Sequence, residues 1–208
     1  MDNAPESRRE RKKHQTFLAL HEAALRLFAE NGFHETTVDE IADAADVSSR
    51  TFFRYYVSKE AVVFADESER RELWASTLHD RPWTEPVIAS LREASIALAA
   101  VALPAKDFFR WGLAVKAPSV ASAALQVSSR WEGAVAAEVA ERLRLDSKND
   151  LVARTIAAAS IGAWRAANGA WFANGGRSLL ADHLRNSYAV LDHLGGFIPG
   201  DRALASAT

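Results

Sequence analysis

The 208-residue chain contains no cysteine, which excludes disulfides and any metal site built on thiolates. It has no long apolar run either. The most hydrophobic stretch, near Ala94 to Ala105, falls short of the roughly 20 residues that a membrane-spanning helix requires. The first residues are charged and lack an apolar centre, so no secretory signal is expected, and a soluble cytoplasmic protein follows. An excess of one charge is also missing: 25 Lys and Arg stand against 27 Asp and Glu, giving net −2. That balance excludes a basic nucleic-acid coat, although a local basic site remains open. Even residues 1–60 hold nine Lys/Arg and eleven Asp/Glu, so any DNA footprint must come from placement, and charge alone counts modestly against one.

Catalytic signatures are absent as well. There is no Gly-x-Ser-x-Gly elbow, no glycine-rich phosphate loop after a strand and no His-Glu-x-x-His pair. The six histidines are scattered. His183 and His193, each after an aspartate, are ten residues apart and lie on different faces of one helix, so solvated positions are the plain reading and a metal site is not expected. No catalytic residue, metal or cofactor is assigned, and the chain is not read as an enzyme; an uncharacterised helical enzyme is the competing class. Strand-like alternation is almost missing, whereas alanine and leucine recur at helical spacing, so an all-α fold follows. With 49% hydrophobic residues the chain has ample material for a packed core.

The most informative stretch is Thr36 to Glu60. Thr37 with Glu40 three residues later is a reciprocal N-capping pattern. Val38, Ile41, Ala42 and Ala45 then form one apolar face. Asp46-Val47 makes a turn, Ser48 offers a second N-cap oxygen, and Ser58 a third with Lys59 behind it. In the middle helix Phe52, Tyr55 and Tyr56 share one face, while Ser49, Arg50, Phe53 and Arg54 share the other. A hydroxyl, two guanidinium groups and a ring suit base edges and neighbouring phosphates. The spacing therefore predicts a helix-turn-helix; on spacing alone, an ordinary helical hairpin with a solvated face fits equally well.

The run Thr36-Thr37-x-x-x-Ile41-Ala42 followed by Val47-Ser48-x-x-Thr51-x-Phe53-x-Tyr55-Tyr56-x-Ser58-Lys59-Glu60 resembles the DNA-binding domain of the TetR family of one-component bacterial repressors. That resemblance implies a homodimer that binds a palindromic operator and responds to a small-molecule effector. Ser49, Arg50, Thr51 and Arg54 would read bases or adjacent phosphates, with Thr37, Tyr55 and Lys59 anchoring the backbone. The wording departs from the commoner family pattern, which has a small residue at 50 and tyrosine at 53. It is similar to a subset described as binding acyl-CoA-like ligands. A helix-turn-helix protein acting through protein partners is the remaining alternative.

Along the chain, residues 1–7 are polar and expected to be disordered. The basic run Arg8 to Lys13 is either a solvated helix start or an arm reaching phosphates. A first helix is expected from about Thr16 to Asn31, with Phe17, Leu20, Ala24, Leu27 and Phe28 buried and Gly32 as a left-handed stop. From Ser58 one long helix should run to about His79. Further helices are predicted near 86–102, 105–116, 119–145, 149–174 and 177–194, separated by Pro104, Pro118, the polar link 146–149 and Asn174-Gly175-Gly176, and ended by Gly195-Gly196. The division is thus 1–60, an arm and three-helix DNA-binding domain, and 61–208, a helical effector-binding and dimerisation domain. Phe108, Trp111, Trp131, Trp164, Arg165 and Asn168 are the candidate ligand residues, with simple core packing as the alternative for each ring. The family resemblance implies that helices 149–174 and 177–194 pair with their copies, and small residues such as Gly162 and Ala166 permit close approach.

Overall fold

Helix formation begins earlier than the apolar periodicity predicts. In the computed structural model, which describes residues 7–101, 104–146 and 149–194, α1 runs Arg8–Asn31. Ser7 is its N-cap, and Glu10 returns a hydrogen bond to the Ser7 backbone N–H at 2.8 Å. The run Arg8 to Lys13 therefore forms exposed helical turns. Ser7 departs from the expected disorder, and residues 1–6 lie outside the described residues. Leu20, His21, Ala23, Ala24 and Phe28 are the buried stripe of α1, with Phe17 and Leu27 only half-buried. Gly32 ends the helix at φ +94° and ψ 156°. Its φ is positive, as expected, but the conformation is extended and not left-handed helical, a region open only to glycine.

The chain divides into two compact units, 7–65 with 113–124, and 66–112 with 125–194 as far as described. The leading segment of the first unit ends at Ala65, next to the expected division at residue 60, and 113–124 join it. Besides α1, that unit holds α2 (Val38–Ala44), α3 (Ser49–Tyr55) and α4 (Lys59–Val63), with the end of α7 (Pro104–Lys116) and the start of α8 (Pro118–Arg142). Leu20, Ala23, Ala24, Phe28, Phe33, Ile41, Ala42, Phe52, Tyr56, Val62 and Val63 are its buried apolar residues, with Leu113, Ala117 and Val120 from the later segment. Pro104 and Pro118 each open a helix, where the missing N–H removes no intrahelical bond.

The second unit holds α5 (Glu67–His79), α6 (Val87–Val101), α9 (Leu151–Ala173) and α10 (Leu180–Leu194) with the remainder of α7 and α8. α10 packs on α9 and α6, and α5 packs on α6. Trp74, Leu78, Leu91, Leu98, Val135, Val139, Ile156, Trp171, Leu184 and Tyr188 belong to one buried cluster. The Tyr188 hydroxyl lies 3.0 Å from the Ser95 hydroxyl. Five helices after residue 86 fall within a few residues of their expected positions, and no strand occurs among the described residues. Ser147 and Lys148 of the expected polar link, and the Gly195-Gly196 stop, lie outside the described residues. His183 Nε2 sits 2.7 Å from the Ser178 hydroxyl and His193 Nδ1 2.7 Å from the Ala189 carbonyl, so each imidazole has its own local partner.

One expectation is corrected: the helix from Ser58 to His79 is broken. α4 stops at Val63, and the N–H groups of Phe64 and Ala65 turn back to the carbonyls of Ala61 and Val62. Asp66, at the N-cap of α5, makes no side-chain cap. Its carboxylate lies instead 2.6 Å from Arg110 Nη2, an ion pair. Arg110 also lies 3.3 Å from Asp107, and Arg70 donates to the same Asp107 oxygen at 2.7 Å. The side chains of Asp107 and Arg110 are each 9% exposed.

After α5 the chain forms a second polar cluster. Arg142 donates to the carbonyls of Leu78, Arg81 and Pro82 and lies over the Trp83 ring. The Arg81 guanidinium and the Ser90 hydroxyl hold the Glu85 carboxyl down at about 2. A depressed folded pKa stabilises above the ordinary carboxylate range, and that contribution disappears as pH falls toward the folded value. Glu85→Gln should therefore lower the melting temperature at neutral pH. The gap to the unmodified chain should close between about pH 4.5 and pH 2. Thermal melts across that range check it, and a gap that stays constant refutes the ion-pair account.

Candidate nucleic-acid interface

α3 is only seven residues long, too short to persist by its own propensity. Packing of one face seats it. Phe52 is fully buried, and Tyr56 is nearly so. The Tyr56 ring stacks on Phe17 at 5.0 Å, and its hydroxyl donates to the Phe17 carbonyl at 3.0 Å. Ser48 caps the helix by accepting from Thr51 N–H, and Asp46 makes the preceding turn at φ 54°. The opposite face is open: Arg50 and Arg54 are exposed, and Phe53 is 57% exposed. The Arg54 guanidinium lies over the Tyr55 ring at 5.2 Å.

The seven expected contact residues fare differently. Arg50 and Arg54 stand out from the helix. Thr37 is exposed but engaged in the α2 capping box, its hydroxyl donating to Glu40 Oε2 at 2.9 Å. That bond and the Thr37 backbone N–H hold the Glu40 carboxyl below its usual range, the backbone bond contributing most. Ser49 donates to the carboxylate of Asp39 on α2. The Thr51 hydroxyl lies 3.0 Å from that of Ser48. Tyr55 is half-buried and carries Arg54 on its ring. The Lys59 ammonium donates to the carbonyls of Phe33 and Thr36 at 2.5 and 2.8 Å, so it is engaged inside the unit. Asp39 is the residue that sequence reasoning missed; its pairing with Ser49 spans ten positions and has no local signature.

Of the six expected ligand residues, Phe108, Trp111 and Trp131 each pack against a neighbouring helix. Phe108 packs on Phe172 at 4.7 Å and edge-on to Trp171 at 5.5 Å. The six-membered ring of Trp111 lies against Gly169, where an added Cβ would sit 3.5 Å from it. Trp131 meets Trp74 edge-on instead. Asn168 is buried and donates to the Trp164 carbonyl at 2.9 Å, while Arg165 is exposed. A cleft of about 230 Å³ is lined by Asp66, Glu69, Arg70, Leu73, Leu98, Val101 and Lys106, and none of the six belongs to it.

A capped helix-turn-helix with two exposed arginines on its second helix, followed by a helical unit, defines a DNA-binding transcriptional regulator. Residues 20–65 match the bacterial regulatory proteins of the tetR family, and residues 85–194 match the MftR C-terminal domain. The chain is 31% identical over 175 residues to the HTH-type transcriptional regulator TcmR of Streptomyces glaucescens, covering 79% of this chain and 76% of the relative. It is 44% identical over 63 residues to MftR of Mycobacterium tuberculosis, covering 30% and 32% of the two chains. Among solved structures, Thermus thermophilus FadR, a TetR-family transcriptional repressor in complex with lauroyl-CoA, is similar with a TM-score of 0.58 and 26% identity. That similarity covers 87% of this chain and 94% of the other. The chain belongs to the TetR family of bacterial transcriptional regulators.

Proposed function

We propose that the chain is a cytoplasmic, homodimeric repressor without enzymatic activity, released from a palindromic operator when an amphipathic effector binds. In this reading residues 1–60 recognise DNA, and residues 61–208 bind the effector and dimerise. One observation carries the DNA assignment: Arg50 and Arg54 project from a helix whose other face is anchored by Phe52 and Tyr56. Both reach for bases or adjacent phosphates, and Thr37 and Tyr55 are the proposed backbone contacts. Ser49 donates its hydroxyl proton to Asp39 and so meets a base as an acceptor, unless that bond is exchanged.

Dimerisation through α9 and α10 is supported by what those helices leave uncovered. Ala158 and Ala166 are exposed, and a Cβ at Gly162 would meet open space. Leu151 on α9, Val190 on α10 and Leu179 just before α10 are exposed as well, at 80%, 58% and 69%. Small residues flanked by larger apolar ones suit close helix approach, and a two-fold pair places two recognition helices on one palindrome. The lauroyl-CoA bound by the Thermus protein supports an acyl-CoA-like effector. The cleft beside α5, about 230 Å³, is smaller than the roughly 300–1,000 Å³ of sites for drug-sized ligands. Effector and operator bind with reciprocal coupling.

The test begins with selection of a binding sequence from a random duplex library. Arg50→Ala should weaken that duplex by about 1–3 kcal/mol and relax preference at one position if the guanidinium reads a guanine. Uniform loss over all sequences moves Arg50 to a phosphate, and no loss removes α3 from the interface. Lauroyl-CoA should lower operator affinity. An unchanged affinity at saturating lauroyl-CoA rejects the effector class while leaving the DNA reading intact.

A further inference from the structure

We infer that Lys59 is a positioning residue for DNA recognition, acting through α2 on the recognition helix and not through a phosphate. The connection from Gly32 to Thr37 sets where α2 begins, and its polar groups are tied down one by one. Thr36 is buried, and its hydroxyl donates to the Gly32 carbonyl at 2.8 Å. Thr37 and Glu40 close the capping box. Lys59, the first residue of α4, reaches across 26 and 23 positions to the carbonyls of Phe33 and Thr36. Its ammonium also lies 4.3 Å from the centre of the Phe33 ring, a favourable site for a cation. Phe33 in turn packs on Phe28 at 4.9 Å.

An ammonium has three donors, and two are committed here. The charge is held inward against a ring and two carbonyls, the reverse of an outstretched phosphate anchor. What it fixes is the start of α2 relative to α4. α2 then carries Asp39, whose carboxylate accepts from Ser49 at the first turn of α3. The geometry thus runs from Lys59 to α2 and from α2 to the helix bearing Arg50 and Arg54.

This inference rests on the reading of α3 as the recognition helix, and the test separates the two. The probe is a fluorescein-labelled duplex carrying the palindrome selected by the unmodified chain, titrated between about 50 and 200 mM salt. Measurements are made at a temperature where circular dichroism finds each variant fully folded. Lys59→Met should bind on the order of tenfold more weakly, the scale of losing a charge-assisted hydrogen bond, with an unchanged slope of log affinity against log salt. A slope smaller by about 0.9, the signature of one lost phosphate contact, overturns the inference. So does an unchanged affinity, which leaves Lys59 a stabilising residue only.

Lys59→Arg keeps the charge but replaces a compact ammonium with a planar fork. It should bind as weakly as Lys59→Met, and full recovery would restore the phosphate role. Should Lys59→Met not fold, nitrogen-15 NMR of the unmodified chain without DNA decides. A hydrogen-bonded Lys59 ammonium gives a protected, slowly exchanging signal, and fast exchange refutes the engagement. If Arg50→Ala also leaves binding untouched, the recognition-helix reading fails. If Arg50→Ala weakens binding and Lys59→Met does not, only this inference fails.

Discussion

Arg110→Ala should destabilise the second unit by about 3–5 kcal/mol, the scale of breaking a buried ion pair by removing one partner. The side chain is almost fully enclosed and lies between two carboxylates, 2.6 Å from Asp66 and 3.3 Å from Asp107. Its loss leaves Asp107, itself 9% exposed, with Arg70 as its remaining cation. Asp66 would lose the contact that holds it away from the α5 cap. The size of the effect comes from the stranded carboxylates more than from any large net attraction in the intact network, because burial of all these charges has its own desolvation penalty. The triple replacement Arg70→Met, Asp107→Leu and Arg110→Met should therefore recover most of the loss, since Asp66 is the more exposed acid at 28%. Urea titrations of the unmodified chain, Arg110→Ala and the triple variant measure both steps. A single variant within about 0.5 kcal/mol of the unmodified chain, the range of ordinary surface substitutions, would show that the pairing carries no stability.

How far such features can be read in advance depends on how local their causes are. Thr37, Ser48 and Ser58 all cap the helices assigned to them, because an N-cap hydroxyl satisfies a backbone N–H only three residues away. The same short-range chemistry operates at Ser7 and Glu10, a Ser-x-x-Glu pattern that stands ahead of a basic run without apolar periodicity. The break at residues 64–66 has no such signal: neither glycine nor proline lies there, and the partner of Asp66 is Arg110. The inward turn of Lys59 likewise depends on carbonyls supplied by another connection. Aromatic residues of the second unit were legible as mostly interior, but which ring meets which, Trp131 with Trp74 and Phe108 with Phe172, is decided by helix crossings that spacing does not encode. Family resemblance carried fold and class. It did not foretell that the Ser49 hydroxyl is paired with Asp39 and that of Thr51 with Ser48.

Phe52→Ala should remove about 3–5 kcal/mol from the first unit and abolish operator binding. Its ring is fully buried and is the only buried side chain within α3; beyond it, Tyr56 at the C-cap holds the helix through Phe17. Two turns of helix have little stability of their own, and a loss of this size is a large share of the 5–15 kcal/mol typical of a whole domain. The recognition helix should then lose its fixed direction before the α5–α10 bundle loses helicity. Phe53→Ala supplies the control, for it deletes the same ring one position along, from a site 57% exposed. That change should alter stability by no more than about 0.5 kcal/mol, while still weakening binding if the ring touches DNA. Paired thermal melts and operator titrations distinguish a side chain that seats α3 from one that meets the duplex. Equal destabilisation by the two variants would mean that α3 is not held by a single buried face, and the projection of Arg50 and Arg54 would lose its physical basis.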